Sequence, residues 1–226
     1  MEKYRVLITD LTEYGALRCV AGVDLEDNSM VRPEPGPAQF WQATSCAPDG
    51  PFVPGNVVEF EATTPKPATD LPHLTEDRVV RGKPCAIESY DPEKFIEHLG
   101  KLNTPLEEIF GDQVKFENGK PYIEKGTECP SLFGTAVEST AVQFHESKYK
   151  DSPAKPRVLL ELPNGTADLS ITALDLREVH RAGGVKGLNS RFESAKLIHL
   201  RLGLARAWDD YPDRCYMQVN GIYILR

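Results

Sequence analysis

The chain has 226 residues, with 26 Lys and Arg against 34 Asp and Glu, a net charge of −8 and a pI near 5.2. It is long enough for one large domain or two small ones. At 40% apolar and 27% charged residues it folds around a core, and the balance excludes a membrane span, a coiled coil and a generally basic nucleic-acid coat.

Residues 1–10 lack the long apolar core of a signal peptide, and no later apolar run approaches the ~20 residues needed to cross a bilayer. Cys19, Cys46, Cys85, Cys129 and Cys215 are odd in number and dispersed, with no Cys-x-x-Cys pair, so neither a zinc site nor a disulfide framework is indicated. Asn164-Gly165-Thr166 is a sequon and, without secretion, reads as a turn. The expected setting is a reducing cytoplasm.

The first ninety residues read as strands and turns. Residues 4–9 and 15–23 are apolar runs, residues 24–29 are a turn of residues that bond their own backbone, and Met30 to Arg32 continues as a strand that Pro33 stops. A Pro- and Gly-rich stretch follows to Pro54, carrying Phe40, Trp41 and Phe52. Residues 56–61 then alternate apolar and polar side chains as a half-buried strand does. Residues 65–72 read as a loop, and 74–80 lead into another extended piece.

In the middle, Asp91 and Pro92 open a helix as N-cap and first helical residue, with Phe95, Leu99 and Leu102 at helical spacing. Residues 104–111 read as a second short helix capped by Thr104 and closed by Gly111. Asn118-Gly119 marks a hairpin. Strands return at 136–144, at 157–162 and at 168–176, the last two flanking the hairpin signal Pro163-Asn164-Gly165. Residues 183–187 read as a Gly-rich loop, and Asn189 or Ser190 caps a short helix. Leu200, Leu202 and Leu204 alternate with Arg201 and Gly203 as in a strand, residues 209–213 turn, and 215–224 form the closing strand. The expected class is therefore mainly β with a helical insertion. Two OB-like Greek-key barrels, over 1–90 and 136–226, are joined by a helical connector over 91–135; a single β-sandwich with a helical insertion is the rival.

Residues 6–10 (Val-Leu-Ile-Thr-Asp), 19–24 (Cys-Val-Ala-Gly-Val-Asp), 31–33, 54–60 and 73–77 resemble the dual OB-containing domain family of prokaryotic proteins. Residues 201–206 and 215–223 are similar to its closing strands. The resemblance implies two OB-like barrels in one unit, nucleic-acid handling and a place in prokaryotic conflict or defence systems. It implies no catalytic residues.

Charge placement supplies the candidate site. Residues 181–226 hold eight Lys and Arg against four acids, a local excess of +4 on an acidic chain. Such a surface attracts phosphate backbones, whereas a solvated face balanced by neighbouring acids is the plainer reading. Lys186 and Arg191, beside Gly183, Gly184 and Gly187, are candidates to meet a phosphate, although the P-loop spacing is missing. Arg201, opposite the leucines of its strand, is expected to face solvent or ligand, and Arg206 follows it. Arg32 is either a phosphate contact or an ion-pair partner of Asp24. Trp41 and Trp208 are either stacking platforms for single-stranded DNA or RNA or core plugs. His73, Glu76 and Asp77 are a weak metal or acid–base cluster, for which mutual bonding or turn capping is the plainer reading. The sequence has no Gly-x-Ser-x-Gly, His-Glu-x-x-His or Gly-x-Gly-x-x-Gly motif. The expectation is a binding module for nucleic acid or a nucleotide-like ligand, with no cofactor and no membrane partner. The alternatives are a protein-interaction scaffold with an acidic docking surface, or a hydrolase centred on His73, Glu76 and Asp77.

Overall fold

A computed structural model describes residues 1–65, 71–148 and 153–225. Most of the loop expected over 65–72 and Arg226, one of the eight basic residues of the C-terminal count, lie outside them. The elements in chain order are β1 (Glu2–Tyr14), β2 (Leu17–Asp24), β3 (Met30–Glu34), β4 (Trp41–Gln42), β5 (Asn56–Thr63), β6 (Asp77–Ser89), α1 (Pro92–Gly100) and α2 (Leu106–Ile109). They continue with β7 (Lys115–Glu117), β8 (Lys120–Glu124), β9 (Leu132–Glu138), β10 (Val142–Ser147), β11 (Lys155–Leu162), β12 (Gly165–Ile171), α3 (Leu174–Phe192), β13 (Leu197–Leu204) and β14 (Arg214–Leu225). Half the chain is strand and 19% helix, so the mainly β class expected from the sequence is the class observed. The chain forms two units, one of residues 1–98 and 126–132, the other of residues 99–125 and 133–225.

The first unit is a closed five-stranded barrel in which β1 pairs β2 and β5, β5 pairs β6, and β6 returns parallel to β3. Around the barrel the order is β1-β2-β3-β6-β5, the Greek-key circuit of an OB-type barrel. The long β1 serves two neighbours. Glu2 to Leu7 face β5, while residues from Val6 to Tyr14 face β2, with a register shift between Ile8 and Asp10. Val6, Ile8, Val20, Val31, Phe52, Val58 and Phe60 fill the interior. The turn at 24–29 bonds itself as expected, Asp24 Oδ1 accepting from Glu26 N and Asp27 Oδ1 from Ser29 N. Pro33 does not stop β3, because the strand needs no hydrogen from that residue to reach Glu34.

The second unit is a curled half-barrel ordered β10-β11-β12-β14-β13-β9, with β12 parallel to β14. Its two ends, β9 and β10, are consecutive in the chain and joined by a 3-10 turn at Ser139–Ala141. They divide between them the role that β1 plays alone in the first unit. The circuit is therefore the same, but the ladder is broken where the turn lies. The β7–β8 hairpin turns on Asn118 (φ 51°) and Gly119 (φ 77°), as a two-residue hairpin requires, and β8 pairs β14.

Three expectations are corrected by the helices. Asp91 caps α1, its Oδ1 accepting from Lys94 N at 2.8 Å, but Thr104 does not cap α2 with its side chain; its backbone N–H donates to Gly134 O. The strand expected over 168–176 ends at Ile171, and the Gly-rich loop at 183–187 lies inside α3. Gly184 (φ 59°, ψ −156°) breaks that helix into two halves. Leu176 and His180 on the first half and Leu188 and Phe192 on the second are buried. The halves dock on β10 through His180 Nε2 to Glu146 at 2.9 Å and through the stacked rings of Phe192 and Phe144 at 5.4 Å.

Candidate nucleic-acid interface

In OB-type folds, the face of the second and third strands and the loops between strands one and two and between four and five hold ligands. In the half-barrel these are the outer face of β11 and β12 and the β13–β14 connection, residues 205–213. Core side chains alternate with outward ones along both strands: Val158, Leu160, Ala167, Leu169 and Ile171 are buried. The outward row runs His145–Arg157–Ser170–Gln218 across four strands by register.

A hydrogen-bond network fixes this face. Arg157 donates through Nε to Asp168 Oδ1 at 2.7 Å, through one terminal nitrogen to Ser170 Oγ at 2.7 Å and through the other to Asp168 O at 3.0 Å. His145 Nε2 meets the same Asp168 oxygen at 2.9 Å. Exposed Lys155, two residues before Arg157 on β11, and exposed Lys120, two before Tyr122 on β8, stand on the same face.

Beside that row lies an aromatic cluster. Tyr216 on β14 is opposite Tyr122 on β8, with ring centroids 5.5 Å apart. Trp208 and Tyr211, at the two ends of the tight turn after β13, stand 5.7 and 5.4 Å from Tyr216 and 5.3 Å from each other. Trp208 is 43% exposed and Tyr211 38%, so ring surface is offered to solvent. Arg214 lies over Tyr122 and Tyr211 at 5.1 and 5.6 Å, and pairs with Glu117 at 2.6 Å. The Tyr216 hydroxyl donates to Glu117 at 2.6 Å. That bond, and then Arg214, hold the Glu117 carboxyl below the usual carboxylate range.

The other residues expected at the site fall elsewhere. Arg201 is fully buried, which corrects the expectation that it faces solvent. It does lie opposite the leucines of β13, but that side is covered: a Cβ on Gly134 would meet the Arg201 guanidinium, and would come within 2.8 Å of His199 Cε1 and Leu102 O. Arg191 pairs with Asp175 at 2.7 Å, bridging the two halves of α3. Lys186 is exposed on the second half of α3, not in a loop. Arg206 is half-buried in the β13–β14 connection, two residues from Trp208. The four cations therefore form no common exposed patch.

In the first unit Trp41 is half-buried, its ring 4.6 Å from Phe52 and its Nε1 donating to Pro33 O at 2.8 Å, so it belongs to the core. Arg32 pairs with Asp77, its register partner across β3 and β6, at 2.5 Å, and not with Asp24. It also donates to Ser131 Oγ at 3.0 Å, and Ser131 donates through its backbone N and its Oγ to Glu76. His73, Glu76 and Asp77 are all buried, which favours their structural reading. Among the described residues no group of three or more His, Cys, Asp and Glu is arranged to hold a metal ion.

Of the residues gathered here, sequence reasoning had singled out Trp208 and Arg206 as candidates, and it had not named Tyr122, Arg157 or Asp168. The one signal it passed over was the period-2 alternation of Arg157 and Asp168 with apolar neighbours on paired strands.

No protein-family model matches the chain, and no curated protein does. Among solved structures, one described as a murine DNA-binding protein bound with double-stranded DNA aligns over 100% of this chain and 95% of its own, at 8% identity and a TM-score of 0.37. So slight a likeness assigns no function. The barrel and half-barrel are compatible with OB-like folds on their own topology. No helix among the described residues is long and apolar enough to cross a membrane.

Proposed function

We propose that the chain is a binding module that takes single-stranded nucleic acid across the outer face of the half-barrel. The observation that carries this is the partly exposed cluster of Trp208, Tyr211, Tyr216 and Tyr122 at the edge of the β11–β12–β14 face. Aromatic rings beside cations are what unpaired bases stack on. Lys120, Lys155 and Arg206 serve the phosphates, and Arg157, fully committed to Asp168 and Ser170, holds the face rigid. The units differ in charge in a way that supports the assignment. Residues 99–125 and 133–226 of the sequence hold 17 Lys and Arg against 16 Asp and Glu, whereas residues 1–98 and 126–132 hold 9 against 18. The resemblance to the dual OB-containing family and a place in a prokaryotic defence system are part of this proposal and rest on the sequence runs that carry them; a cytoplasmic setting is part of it too and rests on the dispersed cysteines.

Fluorescence anisotropy with short single-stranded DNA and RNA tests it. Trp208→Ala is expected to weaken binding about five- to 150-fold, the ~1–3 kcal/mol that one stacked base is worth. Binding should also quench Trp208 emission. No binding by the parent chain at low salt, or equal binding by the variant, overturns the proposal. Selective capture of a basic peptide instead would favour an acidic docking surface on the first unit.

A further inference from the structure

A cavity of about 380 Å³ opens in the second unit where the ladder is interrupted, between the 3-10 turn at Ser139–Ala141, β10 and the second half of α3. It is within the size range of small-molecule sites. Lys186, Asn189 and Ser190 of α3, with Glu193 at its C-cap, line one side at spacings i, i+3, i+4 and i+7, so four polar side chains border the cavity along one helical stripe. Phe192 of α3 and Phe144 of β10, near-parallel at 23°, give the lining beside these polar groups an apolar, flat character, and the Thr140 hydroxyl adds a polar group at the turn. A Lys and a Glu two helical turns apart, over aromatic walls, match a ligand with an oxyanion at one end, a flat body and a hydrogen-bond donor at the other.

We propose that this cavity binds a nucleoside monophosphate whose base carries an exocyclic amine. Lys186 meets the phosphate, Ser190 and Asn189 the sugar hydroxyls, and Glu193 accepts from the amine. Arg191, on the next face of α3, is held by Asp175 and takes no part. The site shares no residue with the aromatic cluster at Trp208, and its occupancy is independent of nucleic-acid binding there.

Isothermal titration with adenosine monophosphate, adenosine and inosine monophosphate tests the assignment on the full chain. Adenosine monophosphate should bind at least tenfold more tightly than adenosine, which lacks the phosphate, and than inosine monophosphate, which lacks the amine. Lys186→Ala should bring the first down to the level of adenosine, and Glu193→Gln should erase its preference over inosine monophosphate. Both side chains are exposed, so the variants should melt as the parent does. Trp208→Ala should leave all three titrations unchanged. Absence of binding by adenosine monophosphate, equal binding of adenosine, or binding indifferent to Lys186→Ala overturns the proposal. Loss of binding with Trp208→Ala would move the ligand to the nucleic-acid face and overturn it as well.

Discussion

Arg32 and Asp77 show what a buried charge does in a small barrel. Their side chains are 5% and 0% exposed, and they join β3 to β6 at the parallel seam that closes the circuit. Burial works against the Arg32 charge, but Asp77 beside it, with Glu76 nearby, holds the guanidinium above its usual pKa. Removing one partner leaves the other charge in the interior without its match. Asp77→Asn is therefore expected to cost ~3–5 kcal/mol in urea unfolding, and a paired apolar replacement of Arg32 and Asp77 to recover much of the loss. Neither should alter oligonucleotide affinity once the protein is folded. The cysteines offer a second residue-scale test. Burial pushes the Cys46 thiol up to about 12, while Cys85 is exposed. Alkylation of the native protein at mildly alkaline pH, followed by mass spectrometry, should label Cys85 first and leave Cys46 unlabelled until unfolding.

At the scale of elements, the β7–β8 hairpin is fastened to β14 by three backbone register pairs and by the Tyr216–Glu117–Arg214 bridge. Glu117 has a depressed pKa in the folded chain, so its contribution is fully present above the ordinary carboxylate value of about 4.3 and is lost as pH falls through the lower, folded value. Acidification below that range should loosen the aromatic cluster, seen as a change in Trp208 emission. Glu117→Gln should remove the acid limb of that titration. Most strands, the Asn118-Gly119 hairpin and the Asp91 cap were legible in the sequence because each depends on neighbours within a few residues, whereas the turn that splits the strand expected over 136–144 into β9 and β10 was not. Helix α3 was not. Its glycines and Val185 carry loop and strand preferences, and only burial of Leu176 and Leu188 and docking on β10 through Phe192 and His180 offset them. Arg201 was half legible: alternation placed it opposite the leucines, but no local pattern reveals that Leu102, nearly a hundred residues away, covers that side.

For the whole molecule, the separation of charge sets how binding responds to salt. The acidic excess belongs to the first unit, and the proposed face offers three cations to phosphates: Lys120, Lys155 and Arg206. Each phosphate met on a single strand contributes about −0.7 to the slope of log K against log salt, so the slope is expected near −2. Anisotropy between 50 and 300 mM salt measures it, and Lys155→Ala should reduce its size by about 0.7. A slope steeper than about −4 would mean that the face is not the footprint. The interleaving of the two units also bears on how the protein is made. Ser131, which braces Arg32 and Glu76, arrives 99 residues after Arg32. A ribosome delivering the chain from its N-terminus supplies every strand of the first barrel by Ser89, yet the segment that completes that unit emerges only after residues 99–125 of the other. The nascent barrel must wait for this closing piece with its seam charges unbraced, so a pause in translation shortly before residue 126 would prolong its exposure to chaperones and proteases.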